Sequence, residues 1–365
     1  MALNPSFTSF LKQGVSMKKI VLLSLIIIMG CEDTKQELIE ENQLIFVASE
    51  GNYGSSNGSI SVFRNGEKIQ KLENIGDVLQ SIFVHKDKLI VTLNNSHFLK
   101  FYEITVNGLL LPGIEISTNH SSPREMVVLN NKLYFSNWNT KDVKVLNLLT
   151  YSIESTIPFN GLPEDIVTDG TYIYVSIPNL ELYDTNKGTH VVKIDTFNEQ
   201  IIETYEVGRG PMQLLINNNQ LWISRTYYSE DWTQTIFGSS LINLETNEVT
   251  TKEYGNGIVC GGNIMKITDG IYRTFEGGVA SVNDNLSIDG ASKIGAYPTY
   301  KLYSADAENN YIFFGITSDH ESPDTVFVHD NLSNLKYTLE VGASPGDYGV
   351  WNNQVNYLVA LTNKN

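Results

Sequence analysis

From residue 44 onward, short runs of alternating apolar and polar residues are separated by clusters of Gly, Pro, Asn and Asp. Period-two alternation of this kind predicts strands with one buried face. A corner bearing glycine or proline recurs along the chain, each time followed by two strands. Gly76-Asp77-Val78-Leu79-Gln80 precedes SIFVHKDKLIVTL, and Ser121-Ser122-Pro123-Arg124-Glu125 precedes MVVLNNKLYFS. Gly161-Leu162-Pro163-Glu164-Asp165 precedes IVTDGTYIYVS, and Gly208-Arg209-Gly210-Pro211-Met212-Gln213 precedes LLINNNQLWIS. A weaker copy spans Gly255 to Asn263, before IMKITDGIYRTF. Two more follow Gly295-Ala296-Tyr297-Pro298-Thr299 and Gly342-Ala343-Ser344-Pro345-Gly346-Asp347. About seven copies at roughly 40–48 residues match the period of radial four-stranded blades.

The hairpin turns between first and second strands are rich in Asn, Asp and Gly, residues that tolerate positive φ. Third strands follow, such as FLKFYEI, DVKVLNL, HVVKIDT, SSLINLE and DTVFVHD. No capped helix is predicted after residue 42. The N-terminal block (LIFVASE, SISVFRN, EKIQKLE) lacks a corner strand, and the C-terminal block supplies one. Joining them closes the ring and leaves only short edges. The expected fold is therefore all-β, a seven-bladed β-propeller closed by its two ends, in a single domain over residues 44–365.

The segment before it has another character. Met17-Lys18-Lys19 opens an apolar run from Ile20 to Met29, interrupted only by Ser24. At about 10 residues the run is too short to span a bilayer and has the length of a signal-peptide core. It ends in Ile28-Met29-Gly30-Cys31, which resembles a lipobox. Residues 1–30 are thus expected to be a signal peptide, with Met17 the better start, and Cys31 to be lipidated. A diacylated and N-acylated cysteine is a firm membrane anchor. Residues 31–43 form an acidic tether after that cysteine. It resembles the surface-export signal of Bacteroidota lipoproteins, which implies the cell surface of the outer membrane.

The net charge is −16, and removing Lys12, Lys18 and Lys19 with the leader takes the remainder to near −19. Such a field disfavours nucleic acid. With 41% hydrophobic residues, the acidic chain is still a folded one. There are two cysteines; if Cys31 carries lipid, Cys260 has no disulfide partner and reads as a buried apolar residue.

The repeat resembles the YncE-like, YVTN-type seven-bladed propellers over residues 44–362. The opening Ser49 to Val62 is similar to the start of Bacteroidota lipoprotein propellers of that group. Some of these sit on TonB-dependent transporters, and the cobalamin-capturing ones are the best understood. The stretch Gly255 to Gly262 departs from the pattern because it has no proline corner. The resemblance implies a partner in the outer membrane, either a TonB-dependent transporter or a secretion barrel.

In such a fold, the corner loops and the second-to-third-strand loops share one axial face, where function is expected. Gln80, Arg124, Glu164, Asp165, Arg209, Gln213, Tyr300 and Tyr348 are expected near the channel. The binding candidates are Tyr53, Arg124, Trp138, Tyr183, Arg209, Arg225, Tyr227, Tyr228, Trp232 and His320. Aromatic side chains on loops give contact area at little rotamer cost. Arg124 and Arg209 either grip an anion or pair with Glu164, Asp165 and carbonyls. The segment from Arg225 to Gly238 is expected to be the longest such loop, and long loops are commonly functional.

No spaced His or Cys pairs point to zinc, and no nucleophile elbow or P-loop is present. No cofactor, metal or catalytic residue is therefore expected. The expectation is a non-catalytic surface lipoprotein that binds a ligand or partner on the loop face, accessory to a transporter. A scaffold subunit of a secretion or gliding machine is the alternative. A propeller enzyme of lactonase or lyase type, its site assembled from several blades, also stays open.

Overall fold

A computed structural model describes residues 43–257 and 262–353. The expected lipidation site Cys31, the leader, most of the tether and Cys260 lie outside the described residues. Among those described there are seven small sheets, six of four strands and one of five. The fold is a seven-bladed β-propeller, as the repeat implies. The regular elements are strands, apart from one 3-10 turn at Thr299–Lys301.

Blades are numbered in chain order. The innermost strands are Pro345–Asn352 in blade 1, Leu79–His85 in blade 2 and Pro123–Leu129 in blade 3. Ile166–Thr168, Pro211–Asn217, Ile264–Ile267 and Leu302–Glu308 follow in blades 4 to 7. Blade 1 takes its inner strand from the C-terminal region and sets it against Gln43–Ser49, followed by Ser59–Arg64 and Glu67–Leu72. This is the closure expected from the two incomplete blocks. In the other blades chain order and sheet order agree, with antiparallel neighbours, except that in blade 2 both Gly108–Leu109 and Ile114–Ser117 pair with Phe98–Thr105.

Burial falls from the second strand outward, and the sequence shows why. Lys88–Leu93, Lys132–Asn137 and Tyr172–Ile177 are buried at every position after the first. Each lies between two neighbouring blades, so both of its faces need apolar or small side chains. Fourth strands such as Glu67–Leu72 and Gln200–Glu206 face solvent and carry charge, which protects the sheet edge. Apolar side chains gather into seven clusters, one at each blade interface. One joins Phe46 and Val62 to Leu79 and Val91, and another joins Val145 and Ile157 to Ile173 and Val192. A fully buried Leu, Ile or Val contributes about 1.5–3 kcal/mol, so the ring is held by wedges between blades. Trp222, one of the largest fully buried side chains, fills the interface of blades 5 and 6.

A hydroxyl on the second strand ties the inner strands together. Thr92, Ser136 and Ser176 accept the amides of Ser81, Glu125 and Asp165 at 2.9, 3.1 and 3.0 Å. The same hydroxyls donate to the next blade's carbonyls at Arg124, Glu164 and Met212. One side chain thus satisfies a backbone donor in its own blade and an acceptor in the next.

The Asn-rich turns adopt the left-handed conformation expected of them, with φ of 52° and 61° at Asn130 and Asn131 and 48° and 58° at Asn218 and Asn219. The segment Arg225 to Gly238 differs from expectation. Strands Gln220–Tyr228 and Thr235–Asn243 run through it, pairing Arg225 with Gly238 and Tyr228 with Thr235. Its Thr, Tyr, Ile and Phe residues continue the ladder, so the connecting loop is only residues 229–234. The long irregular connection lies instead between Tyr172–Ile177 and His190–Asp195 in blade 4.

Candidate functional site

The inner strands, and in blade 4 the corner just before one, bring carboxylates from four blades around the axis. Glu125 comes from blade 3, Glu164 and Asp165 from blade 4, Asp306 and Glu308 from blade 7, and Asp347 from blade 1. Burial pushes the Asp165 carboxyl up to about 7, opposed by hydrogen bonds from the amides of Leu214 and Ile166 at 2.6 and 2.7 Å. Burial raises Asp306 to about 6 and, helped by Asp306 and Asp347, raises Glu308 to about 8. Glu125 is driven well above the carboxylate range by burial and by the charges of Asp347, Asp165 and Glu164. Like charges crowded in a poorly solvated space cannot all ionise. Asp347 accepts the Ile82 amide of the next blade at 2.7 Å, as Asp165 accepts Leu214, so these acids also link blades.

Arg124 is the cation at the mouth of this channel. It clasps Glu164 through two hydrogen bonds, Nε to Oε2 at 3.0 Å and Nη2 to Oε1 at 2.5 Å, and also donates to Gln80. Its guanidinium lies 4.2 Å from the Trp138 ring centroid. Glu164 takes the Nε/Nη2 fork that a carboxylate or phosphate ligand would use and neutralises the charge, and Gln80 takes an Nη1 donor. Glu50 completes the mouth; burial raises its carboxyl, opposed first by a hydrogen bond with Tyr303. The His320 ring packs edge-on against Tyr303, with centroids 5.6 Å apart.

Arg209 stands away from the channel, in the connection between blades 4 and 5. Its Nη2 donates to the Thr185 carbonyl at 3.0 Å and the Tyr228 carbonyl at 3.1 Å, and its guanidinium lies over Tyr227 at 4.6 Å. Arg225 is buried; it donates to the carbonyls of Lys252 and Arg209, wedged against Gly208 and Gly238. Tyr227 is buried too, its hydroxyl donating to Glu253 Oε1 at 2.6 Å. Arg225 and Tyr227 therefore shape blade 5 from within, because their polar atoms are directed at its own backbone and edge. Tyr348, expected at the channel, stacks on Phe313 with ring centroids 4.6 Å apart and bonds Ser304 at 2.7 Å, inside the interface of blades 7 and 1.

Four candidates remain in solvent: Tyr53, Tyr183, Trp232 and His320. Tyr183 and Trp232 belong to adjoining loops of blades 4 and 5, and Tyr228 lies beneath Trp232 with ring centroids 4.8 Å apart. Tyr53 on blade 1 and His320 on blade 7 stand on other blades of the same face. Glu50, Glu125, Tyr303, Asp306, Glu308 and Asp347 were not among the expected site residues. A signal for three of the blades was present: Pro123-Arg124-Glu125, Pro163-Glu164-Asp165 and Pro345-Gly346-Asp347 share an acid two residues after the corner proline. Among the described residues, no group of three or more His, Cys, Asp or Glu is gathered to hold a metal ion.

No protein-family model and no curated protein matches the sequence. Similarity is found to solved structures. A chain of Kuenenia stuttgartiensis hydrazine synthase superposes with a TM-score of 0.58 at 12% identity, covering 76% of this chain and 96% of that one. A functionally unknown protein from Desulfotomaculum acetoxidans gives 0.57 at 14% identity, covering 85% and 98%. Apo AztD from Citrobacter koseri gives 0.52 at 11%, covering 85% and 98%. At these identities the likeness establishes the propeller fold.

Proposed function

We propose that this chain is a non-catalytic interaction propeller that docks through its loop face onto an outer-membrane β-barrel protein, held at the membrane by lipid on Cys31. The observation that carries the reading is the contrast between the channel and the loops. Channel-mouth groups are engaged with one another, as in the clasp of Arg124 on Glu164 and Gln80. Large aromatic side chains on the same face are left in water, with Tyr53 81%, Tyr183 85% and Tyr300 77% exposed. Exposed aromatic rings rimmed by polar groups mark protein contact surfaces. The lipobox-like Ile28-Met29-Gly30-Cys31 and the acidic stretch after it supply the membrane address.

The test is a mild-detergent pull-down of the tagged lipoprotein from its native outer membranes, with mass spectrometry of what accompanies it. Recovery of one TonB-dependent receptor makes ligand delivery to that receptor the role. Recovery of a secretion or motility barrel makes the chain a scaffold subunit. If no barrel accompanies it, or if Cys31→Ser leaves the chain in the membrane fraction, the reading is refuted in its partner or its anchor, respectively.

A further inference from the structure

We infer that the partner is gripped by a two-blade ridge, formed by residues 178–189 of blade 4 and 229–234 of blade 5, and that it presents a protein segment in which lysine or arginine adjoins apolar side chains. This deepens the interaction reading above and rests on it. Leu180, Leu182, Tyr183 and Trp232 stand on the ridge at 43, 51, 85 and 49% exposure. No other pair of neighbouring second-to-third-strand loops among the described residues brings so many large apolar side chains into water.

The ridge is built as a unit. Arg209 donates to a carbonyl in each half, at Thr185 and Tyr228. Lys187 Nζ pairs with Glu230 Oε2 at 3.0 Å across the two loops, and the Tyr228 amide donates to the Thr185 carbonyl at 3.3 Å. Asp184 accepts the amides of Leu180 and Lys187, and Asp231 accepts the hydroxyls of Ser229 and Thr233, so each loop is fixed internally. Tyr183 and Trp232 are held in left-handed backbone, with φ of 60° and 61°. Bulky residues rarely adopt this conformation, and such strain is maintained where the surroundings over-determine it. A surface already fixed before contact loses little entropy on binding.

Charge selects the partner. Glu181, Asp184, Glu230 and Asp231 surround the apolar side chains; Lys141 pairs with Glu181, and Lys187 and Arg209 with Glu230, whereas Asp184 and Asp231 form no ion pair among the described residues. The Asp231 carboxyl is held down at about 2 by hydrogen bonds from Ser229 and Thr233, so it stays ionised in neutral water. In a chain of net charge −16, this face repels anionic surfaces and steers cationic ones towards it.

The test places a photo-crosslinking phenylalanine analogue in the full lipoprotein, in its native cells, at Tyr183 or Trp232, and at Phe197 or Leu332 in third-to-fourth-strand turns on the opposite face. Ridge positions are expected to give adducts with one protein, through a peptide of net positive charge, and the opposite face none. Adducts only from the opposite face, adducts to lipid, or an acidic cross-linked peptide would overturn the assignment. The combined variant Leu182→Ser, Tyr183→Ala, Trp232→Ala is expected to keep the wild-type melting temperature, since all three side chains are exposed. Its capture of the partner should fall by at least roughly 30-fold, as for loss of a binding hot spot. If wild type captures a barrel and the variant captures it equally well, the ridge is wrong and the docking function stands. If wild type captures none, the docking function itself fails.

Discussion

Asp306→Asn tests the electrostatics of the channel. Asp306 lies on the inner strand of blade 7, and its Oδ1 accepts the amide of Ala307 at 2.7 Å. Asparagine keeps that acceptor and nearly the same shape, and removes the charge. Burial raises the aspartate from the ordinary 3.8 to about 6. Two units at about 1.4 kcal/mol each set a ceiling of about 3 kcal/mol, which channel water around this half-buried side chain lowers. The sign follows from proton binding. The folded state holds the proton more tightly than the unfolded chain, so wild type loses stability as pH rises from about 4 through about 6. Below that window both states are protonated, and variant and wild type should match. Above it the wild type carries a buried charge that the variant lacks, and the variant should be more stable by up to about 3 kcal/mol. Urea unfolding of both proteins at about pH 4 and about pH 8 reads the difference directly. Glu308 and Asp347, whose carboxyls Asp306 helps to raise, should titrate lower in the variant. A variant less stable than wild type at the higher pH, or an offset identical at both, would mean that the channel solvates the Asp306 carboxylate.

Other perturbations probe the frame. Arg124→Ala leaves the Glu164 side chain, only 7% exposed, without its cation and should cost about 3–5 kcal/mol, with Arg124→Met plus Glu164→Gln recovering most of it in thermal melts. Equal stability of the single and double variants would contradict this. Gly238→Ala puts a Cβ 2.5 Å from the Lys252 carbonyl oxygen and 2.6 Å from Arg225 Nη2, so a loss of roughly 1–3 kcal/mol is expected, and a neutral result in urea titration would show that the strand shifts freely. Removing residues from Pro345 onward deprives the Ile82 amide of Asp347 and Asp87 of the Trp351 indole, which donates to it at 3.0 Å. That truncation should elute from size exclusion as aggregate; a monodisperse monomer would refute the role given to closure.

The architecture was legible because each blade writes the same local rules. Runs such as KLIVTL and KLYFSN are apolar on both faces because neighbouring blades press on both, and Asn130 and Asn218 turn where turns were expected. The site was less legible because channel residues are neighbours in space through different blades. Asp165 and Asp347 are far apart in sequence, yet each raises the carboxyl of Glu125. For Arg209 the sequence left an anionic ligand and backbone carbonyls both open, and Arg225 stood as a binding candidate because it opens the expected long loop. Both donate to backbone carbonyls, at Thr185 and Tyr228 for Arg209 and at Lys252 for Arg225; which carbonyls these are, sequence spacing does not reveal. The extent of blade 5's hairpin arm was hidden because the segment interrupts a repeat of otherwise short turns, whereas Thr226, Ile236 and Phe237 keep it paired.

The sheet of blade 1 is assembled from opposite ends of the folded chain, with Gln43–Ser49 beside Pro345–Asn352. The innermost position of that blade cannot be filled until Pro345–Asn352 has left the ribosome. Six blades can form their hairpins earlier, but the two wedges flanking blade 1 must wait for that strand. Contacts this distant in sequence also form slowly. A nascent chain of this design therefore holds an open ring, with two blade faces unwedged, until that strand emerges.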